Sequence, residues 1–418
     1  MTAGSSAAAA PARPVARSVI LVLGALSAFG PLSLDLYLPA LPDLSDDLGV
    51  SSVTGQLTMT ACMIGLALGQ LTVGPLSDRF GRRKPLLLGV AIYALASLLC
   101  ASMPTASALI ALRLVQGVAG GAGIVIARAI VRDLFDTEAA ARIFSLLAMV
   151  TGIAPVLAPV LGGQLMHVTS WRGLFVTLSL IGCALLIAAL SAIEESHPNR
   201  SGGGLRTVLA NFAHVGRDPR FVGFTLVVGF ASGLLFTYIT MSSYVLQDDY
   251  GLSSQAFSLV FALNACGMVA TAGVSSALVT RIGPARTLRL GLSVGVGASF
   301  VLAVAAIADL PLPVLLVPLF FAVSSIALVM PNATALGLES HGARAGAAAG
   351  VMGLVQFGIG GSLGPAISTL STSMVTMSMA MLASCVLGLL VLFAISRGTR
   401  RRQEPASVVE PAEATDTR

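Results

Sequence analysis

Gly74–Pro85 reads GPLSDRFGRRKP, and its setting decides what kind of protein this is. It lies between two long apolar runs, Val53–Val73 and Leu86–Ser102, and it packs Asp78, Arg79, Arg82, Arg83 and Lys84 into seven residues of a chain that is only 10% charged. A short polar stretch in that position is a turn between two membrane-spanning helices. Gly74 and Gly81 let the backbone turn, and Pro85 sits where a helix can begin. The arginines hold the turn on the cytoplasmic side, because basic side chains are retained there.

The composition agrees. The chain is 56% hydrophobic with a mean hydropathy of +0.90, whereas soluble domains carry about 25% charged residues. Its 44 glycines and 20 prolines are spread through apolar runs, as transmembrane helices tolerate. The runs are some twenty residues long, which spans a bilayer as a helix. A membrane barrel would show alternating segments of about ten. The net charge of +5 reports topology rather than nucleic-acid binding, since the charges sit at the ends of apolar runs. Cys62, Cys100, Cys183, Cys266 and Cys385 all fall inside such runs without metal-like spacing and read as free thiols.

Twelve apolar segments follow one another: Ser18–Leu41, Val53–Val73, Leu86–Ser102, Ala106–Ala127, Ile143–Met166 and Gly173–Ile193, then Phe221–Val245, Ala256–Val279, Thr287–Ala308, Leu312–Leu336, Gly346–Ile367 and Val375–Ile395. The expected fold is therefore all-α and polytopic. A disordered cytoplasmic N-terminus (1–17) leads into a six-helix bundle (18–193), a polar Gly-rich cytoplasmic linker (194–220), a second six-helix bundle (221–395) and a disordered cytoplasmic tail (396–418). With the N-terminus inside, the inner loops collect Arg79, Arg82, Arg83, Lys84, Arg128, Arg132, Arg142, Arg200, Arg206, Arg217, Arg220, Arg281, Arg286, Arg289 and Arg344, and the outer loops Arg172 alone. That asymmetry places both termini in the cytoplasm. Arg281, Gly283, Pro284 and Arg286 faintly echo GPLSDRFGRRKP in the second half.

An ionisable side chain within the bilayer is costly and marks function. Asp35 in the first segment and Arg113 in the fourth stand clear of the interfaces, at comparable depths of about 10 and 15 Å from the outer face, so one central cavity can hold both. A carboxylate there has its pKa raised by desolvation and lowered by a nearby cation. If the cavity opens alternately to the two sides, Asp35 can load and release a proton, with Arg113 as the countercharge. Arg113, Gln116 and Gly120 share one helix face, and Gly117 and Gly121 beside them admit a neighbouring backbone. Tyr37, Asn264, Asn332 and Gln356, with Gln116, are further candidates for a substrate cavity. Pro155 and Pro159 should kink the fifth helix, while Gly152, Gly162 and Gly163 allow close contact.

Several of these stretches resemble the major facilitator superfamily. Gly74, Leu76, Asp78, Arg79, Gly81, Arg82 and Arg83 match its loop between the second and third helices, LIALRLVQGVAGGAG resembles its fourth-helix motif, and GIAPVLAPVLGG the fifth-helix motif of drug/proton antiporters, with Ala158 replacing a glycine. SLDLYLPALPDLSDDLGVS, IARAIVRDLF and MPNATALGLE look like the bicyclomycin/chloramphenicol-resistance (Bcr/CflA) branch. The resemblance implies twelve transmembrane helices in two pseudo-symmetric halves, and roles for Asp35 and Arg113 in coupling and substrate binding. It further implies a cytoplasmic gate in which Arg132 and Asp133 join Gly74, Asp78, Arg79, Gly81 and Arg82. Some relatives carry a second acid on the first helix where this chain has Ser27.

The sequence thus predicts proton-coupled efflux of small, largely apolar drugs across the inner membrane of a bacterium. The partners are the drug, protons and the lipid bilayer, with no nucleic acid, no cofactor and no metal, and the protein acts as a monomer. Export of an endogenous metabolite or self-made antibiotic fits equally, and a non-transporting sensor less well. No phosphate-binding loop or catalytic constellation points to an ATPase or another enzyme.

Overall fold

The computed structural model describes residues 17–196, 214–339 and 345–403. Most of the expected linker, with Arg200 and Arg206, lies outside them, as do Arg344 and most of both expected disordered ends. Twelve helical spans cross the molecule: α1 (Arg17–Asp47), α2 (Ser52–Phe80), α3 (Arg83–Ala101), α4 (Ala106–Leu134), α5 (Thr137–Leu165), α6 (Trp171–Ala192), α7 (Pro219–Asp249), α8 (Ser254–Ile282), α9 (Pro284–Ile307), α10 (Leu312–Leu338), α11 (Ala345–Ser368) and α12 (Met374–Gln403). The fold is all-α, and each span is long and apolar enough to cross a membrane. Leu88, Leu180, Ile187 and Phe393 are among the large apolar side chains on the outer surface, where water would penalise them and lipid does not.

The two halves, α1–α6 and α7–α12, repeat each other in detail. Asp46–Ser52, DDLGVSS, recurs 202 residues later as DDYGLSS at Asp248–Ser254. Gly49 and Gly251 both take positive φ (61° and 67°). Ser51 and Ser253 then cap α2 and α8, accepting from the backbone N–H of Thr54 and Ala256. Both helices run 29 residues and stop at glycines with positive φ, Gly81 (89°) and Gly283 (81°). Left-handed backbone at those positions costs a side-chain residue energy that glycine avoids.

The helices overrun their apolar segments. α2 continues through Gly74 and Pro75 to Phe80, so the expected turn at Gly74 is instead confined to Gly81 and Arg82. α4 extends to Leu134 and carries Arg128 on its last turns rather than in a loop. α5 passes Pro155 and Pro159 without interruption. α12 stays helical to Gln403, past Ile395 where its apolar run ends, which shortens the expected tail.

α1 is the irregular element. Its first helix ends at Ser27, whose Oγ donates to the Leu23 carbonyl, and a second piece runs Phe29–Asp35. A 3₁₀ turn, Leu38–Ala40, leads to a last piece, Leu41–Asp47. Pro31, Pro39 and Pro42 each lack the N–H that a continuous helix needs, so the backbone breaks near them. The breaks place Asp35 at a helix-piece end, facing inward.

The most extensive contact in the first half is between α2 and α4. A Cβ on Gly65 or Gly69 of α2 would lie 2.3 or 2.2 Å from the carbonyl oxygens of Leu114 and Val118, and one on Gly117 or Gly121 of α4 would lie 2.2 or 2.5 Å from those of Cys62 and Leu66. Gly117 and Gly121 were legible as contact glycines; Gly65 and Gly69, a four-residue-spaced pair, complete the interdigitation. Gly117→Leu should therefore destabilise the protein by at least about 2 kcal/mol, read as a lower melting temperature. Gly152→Ala, with nothing within 4 Å of the added methyl, should shift stability by less than about 0.5 kcal/mol. Equal melting of the two variants would refute the packing argument.

Candidate functional site

The halves meet along α2–α11 and α5–α8. They are sewn together at the end away from Arg17 and Gln403. There Gln56 Nε2 donates to Ser368 Oγ (2.8 Å), which in turn donates to Gln56 Oε1 (3.0 Å), and Thr60 Oγ1 donates to the Gly361 carbonyl (2.5 Å). From α7, Ser243 Oγ donates to the Leu38 carbonyl (2.7 Å) and Gln247 Nε2 to that of Pro39 (3.1 Å). Gln255 Nε2 of α8 reaches the Gly163 carbonyl of α5 (3.1 Å).

Below this seam the halves part around a cavity of about 450 Å³, within the range of small-molecule sites. Asp35, Gln70, Pro155, Tyr238, Phe261, Gln356 and Phe357 are in its wall, with Arg128 and Thr334 nearer the end that bears the termini. Side chambers of about 320 and 500 Å³ adjoin it, and Arg128 borders all three spaces.

Asp35 is 4% exposed and faces the cavity, with no hydrogen bond or ion pair among the described residues. Tyr238 shares its wall. Asn264 Nδ2 donates to the Tyr238 hydroxyl (2.9 Å), so Asn264 reaches the cavity through its neighbour. Ser27, where some relatives have an acid, also lines the space.

Arg113 does not share the cavity. Its guanidinium is fully buried, donating to the Ser33 carbonyl (2.7 Å), Gln116 Oε1 (2.5 Å) and the Thr58 carbonyl (3.3 Å). It lies over the Tyr37 ring at 4.4 Å and near Phe175 at 5.4 Å, contacts that stabilise a desolvated cation. Tyr37 and Gln116 are thus held in this cluster rather than in the cavity wall. Tyr37 bonds Thr58 Oγ1 (3.0 Å), and Gln116 donates to Ser97 Oγ (2.6 Å). Asn332 is likewise occupied elsewhere, bonding Ser275 Oγ (3.1 Å) and the Leu328 carbonyl (2.9 Å) between α8 and α10. Gln356 is in the cavity wall.

Of the fifth-helix residues, Gly162 lies against the Leu36 carbonyl, 1.9 Å from where its Cβ would be, and Gly163 lies 2.4 Å in the same sense from Ser258 Oγ of α8. These two bring α5 against both α1 and the other half. Gly152 has open space around it, so the expected close contact is absent there.

At the terminal end Arg82 binds Asp78 (2.5 Å), Asp133 (2.9 Å) and Ser77 Oγ (2.7 Å). Burial works against its charge, but the hydrogen bonds it donates to Asp133 and Asp78 outweigh that and raise its pKa above the ordinary value. Arg132 borders a side chamber instead of joining the cluster, Arg79 lies against Phe80 at 5.3 Å, and Gly74 packs in helix toward Val125. All of this lies within the first half.

Glu195, placed in the linker by sequence reasoning, accepts from the backbone N–H groups of Arg82 (2.8 Å) and Arg83 (3.3 Å). It thereby caps α3, a favourable place for an anion. Arg83 in return donates to the Ile193 (2.8 Å) and Leu190 (3.2 Å) carbonyls at the end of α6. An acidic pair directly after an apolar run was the available signal. Glu195→Ala should cost about 1 kcal/mol of stability, while Glu194→Ala beside it should stay within about 0.5 kcal/mol. Thermal unfolding of the purified variants compares them, and identical midpoints would remove the capping role.

A two-half, twelve-helix bundle with a polar-studded cavity between the halves is the architecture of a solute transporter. The sequence pattern of the Major Facilitator Superfamily matches residues 21–365. A relative described as an uncharacterized MFS-type transporter, from Bacillus subtilis (strain 168), is 34% identical over 384 residues, covering 91% of this chain and 96% of its own. A bicyclomycin resistance protein homolog from Haemophilus influenzae is 31% identical over 369 residues, covering 88% and 93%. A bacterial homolog of the human lysosomal transporter Spinster, solved in an inward-facing, unoccupied conformation, superposes with a TM-score of 0.74 at 16% identity, covering 94% of this chain and 100% of that one. The chain belongs to the Major Facilitator Superfamily, in its Bcr/CflA branch. It is a multi-pass membrane transporter and not an enzyme.

Proposed function

We propose that the protein exports small, largely apolar drugs or antibiotics across the cytoplasmic membrane of a bacterium in exchange for protons. The observation that carries this reading is the unpartnered Asp35 carboxylate at the wall of a mostly apolar, aromatic-rich cavity. The resistance-protein relative supports a drug-like cargo, with bicyclomycin as the first compound to test.

With both termini in the cytoplasm, the reading that the placement of the basic residues supports, the cavity opens inward and the seam closes the outer side. A cargo entering from the cytoplasm meets Asp35 directly. A desolvated carboxylate favours its proton, and water or a polar cargo arriving beside it favours release. Rocking of the halves 18–193 and 221–395 then carries cargo outward and returns with Asp35 protonated from outside. Arg113 acts one layer behind. Bound to the Ser33 carbonyl, it holds the backbone that presents Asp35.

In the outward-facing state the Arg82 cluster, with Gly74, Asp78, Arg79, Gly81, Arg132 and Asp133 around it, becomes the closed cytoplasmic gate. Gly163 marks where α5 slides against α8, Gly162 ties the helix to α1, and Gly152, Pro155 and Pro159 lie on the same moving helix. The unit that works is a monomer in the bilayer.

Asp35→Asn should abolish exchange. In acid-loaded everted vesicles containing the protein, added bicyclomycin should release protons, read by a pH-sensitive dye, and the variant should match vesicles lacking the protein. Undiminished uphill efflux by Asp35→Asn in energised cells would overturn the coupling assignment.

A further inference from the structure

We infer that Arg128 is a second, oppositely charged anchor of the central cavity, selecting cargo that carries an anionic or strongly hydrogen-bond-accepting group at one end of a compact apolar body. The inference rests on the reading of the cavity as the cargo site and adds the cargo's chemical class.

By sequence Arg128 counts among the basic residues that fix topology, and such residues ordinarily reach lipid headgroups. Its position argues otherwise. α4 continues beyond it to Leu134, so Arg128 sits about 9 Å inside the helix end. It borders the central cavity, whose wall includes Ala349, Met352 and Gly353 of the opposite half. It therefore points between the halves and not outward to lipid. Arg82, Arg113, Arg172 and Arg220 each hold a carboxylate or a set of carbonyl and amide oxygens. Arg128 has no hydrogen bond or ion pair among the described residues. Its donors are free in a space bounded by apolar walls, where a charge-assisted hydrogen bond is stronger than in water.

Gly30 of α1 packs against Ile124 of α4. Counting helical rise from that contact, Asp35 lies about 7 Å to one side and Arg128 about 6 Å to the other, a separation of about 13 Å along the bundle. Phe236, Phe261 and Phe357 line the space with them. The cavity is thus an aromatic slot with an acid at its deep end and a guanidinium at its mouth. A molecule with its acceptor group toward the mouth satisfies Arg128 and keeps that group away from Asp35. Reversed, it places like charges together.

Two probes with one aromatic frame test this: 8-anilino-1-naphthalenesulfonate and the uncharged N-phenyl-1-naphthylamine. Each is titrated by fluorescence against protein in phosphatidylcholine nanodiscs, with empty discs subtracted. Arg128→Gln should weaken sulfonate binding about tenfold, the scale of one lost charge-assisted hydrogen bond. It should leave the uncharged probe within about twofold, and Arg128→Lys should keep most of the sulfonate affinity. Sulfonate binding unchanged in Arg128→Gln, an equal loss for both probes, or a wild-type protein that takes up neither would overturn the inference. The titration needs no proton gradient. A failure of proton exchange through Asp35 therefore leaves this result standing, and the converse holds as well.

Discussion

A guanidinium with 0% exposure holds the first half together. Moving a charge out of water costs several kcal/mol unless its donors are met, and Arg113 meets them without a carboxylate. Carbonyls from α1 and α2, the side-chain amide of Gln116 and the face of Tyr37 surround it. The network continues outward, since Ser33 bonds Tyr93 of α3 (2.8 Å) and Gln116 bonds Ser97 of the same helix. Four helices are pinned to one cation, and the interlocked glycines of α2 and α4 bring the backbones close enough for it to reach. The broken α1 is fixed by the same contacts, and with it the place of Asp35.

The second half repeats the frame but not this centre. The Gly–Ser turns, caps and 29-residue helices recur at the 202-residue offset. The polar interior of the second half is made of neutral groups such as the Tyr238–Asn264 and Asn332–Ser275 pairs. Among the described residues the buried charged side chains, Asp35, Arg82 and Arg113, all belong to the first half. The acid that faces the gap belongs to the first, and several of the aromatic walls to the second.

Most of the architecture was legible because a bilayer imposes a simple rule: twenty apolar residues form a span, and basic residues gather on one side. That rule recovered the twelve spans and the six-plus-six division. It misjudged helix ends, since helical hydrogen bonding continues past the apolar stretch. Gly74 and Arg128 accordingly moved from loop to helix. Depth along a helix was easier to read than azimuth. Asp35 and Arg113 do neighbour one another through Ser33, yet they point into different spaces. Tyr37, Gln116 and Asn332 looked like cavity groups because an unpaired polar side chain in a span needs explaining, and each has its partner on an adjacent helix. Glu195 escaped notice because its role depends on the α3 amides, 112 residues earlier in the chain.

The seam between the halves is stitched by amides, hydroxyls and carbonyls. Hydrogen bonds of this neutral kind contribute about 1 kcal/mol each, and parting them moves no net charge through the bilayer. The membrane voltage, worth about 2.3 kcal/mol per elementary charge for each 100 mV, consequently has no grip on these stitches. Any electrical work done as the halves move must therefore fall on charged groups away from the seam, such as Asp35, Arg113 and Arg128, and not on the stitches themselves.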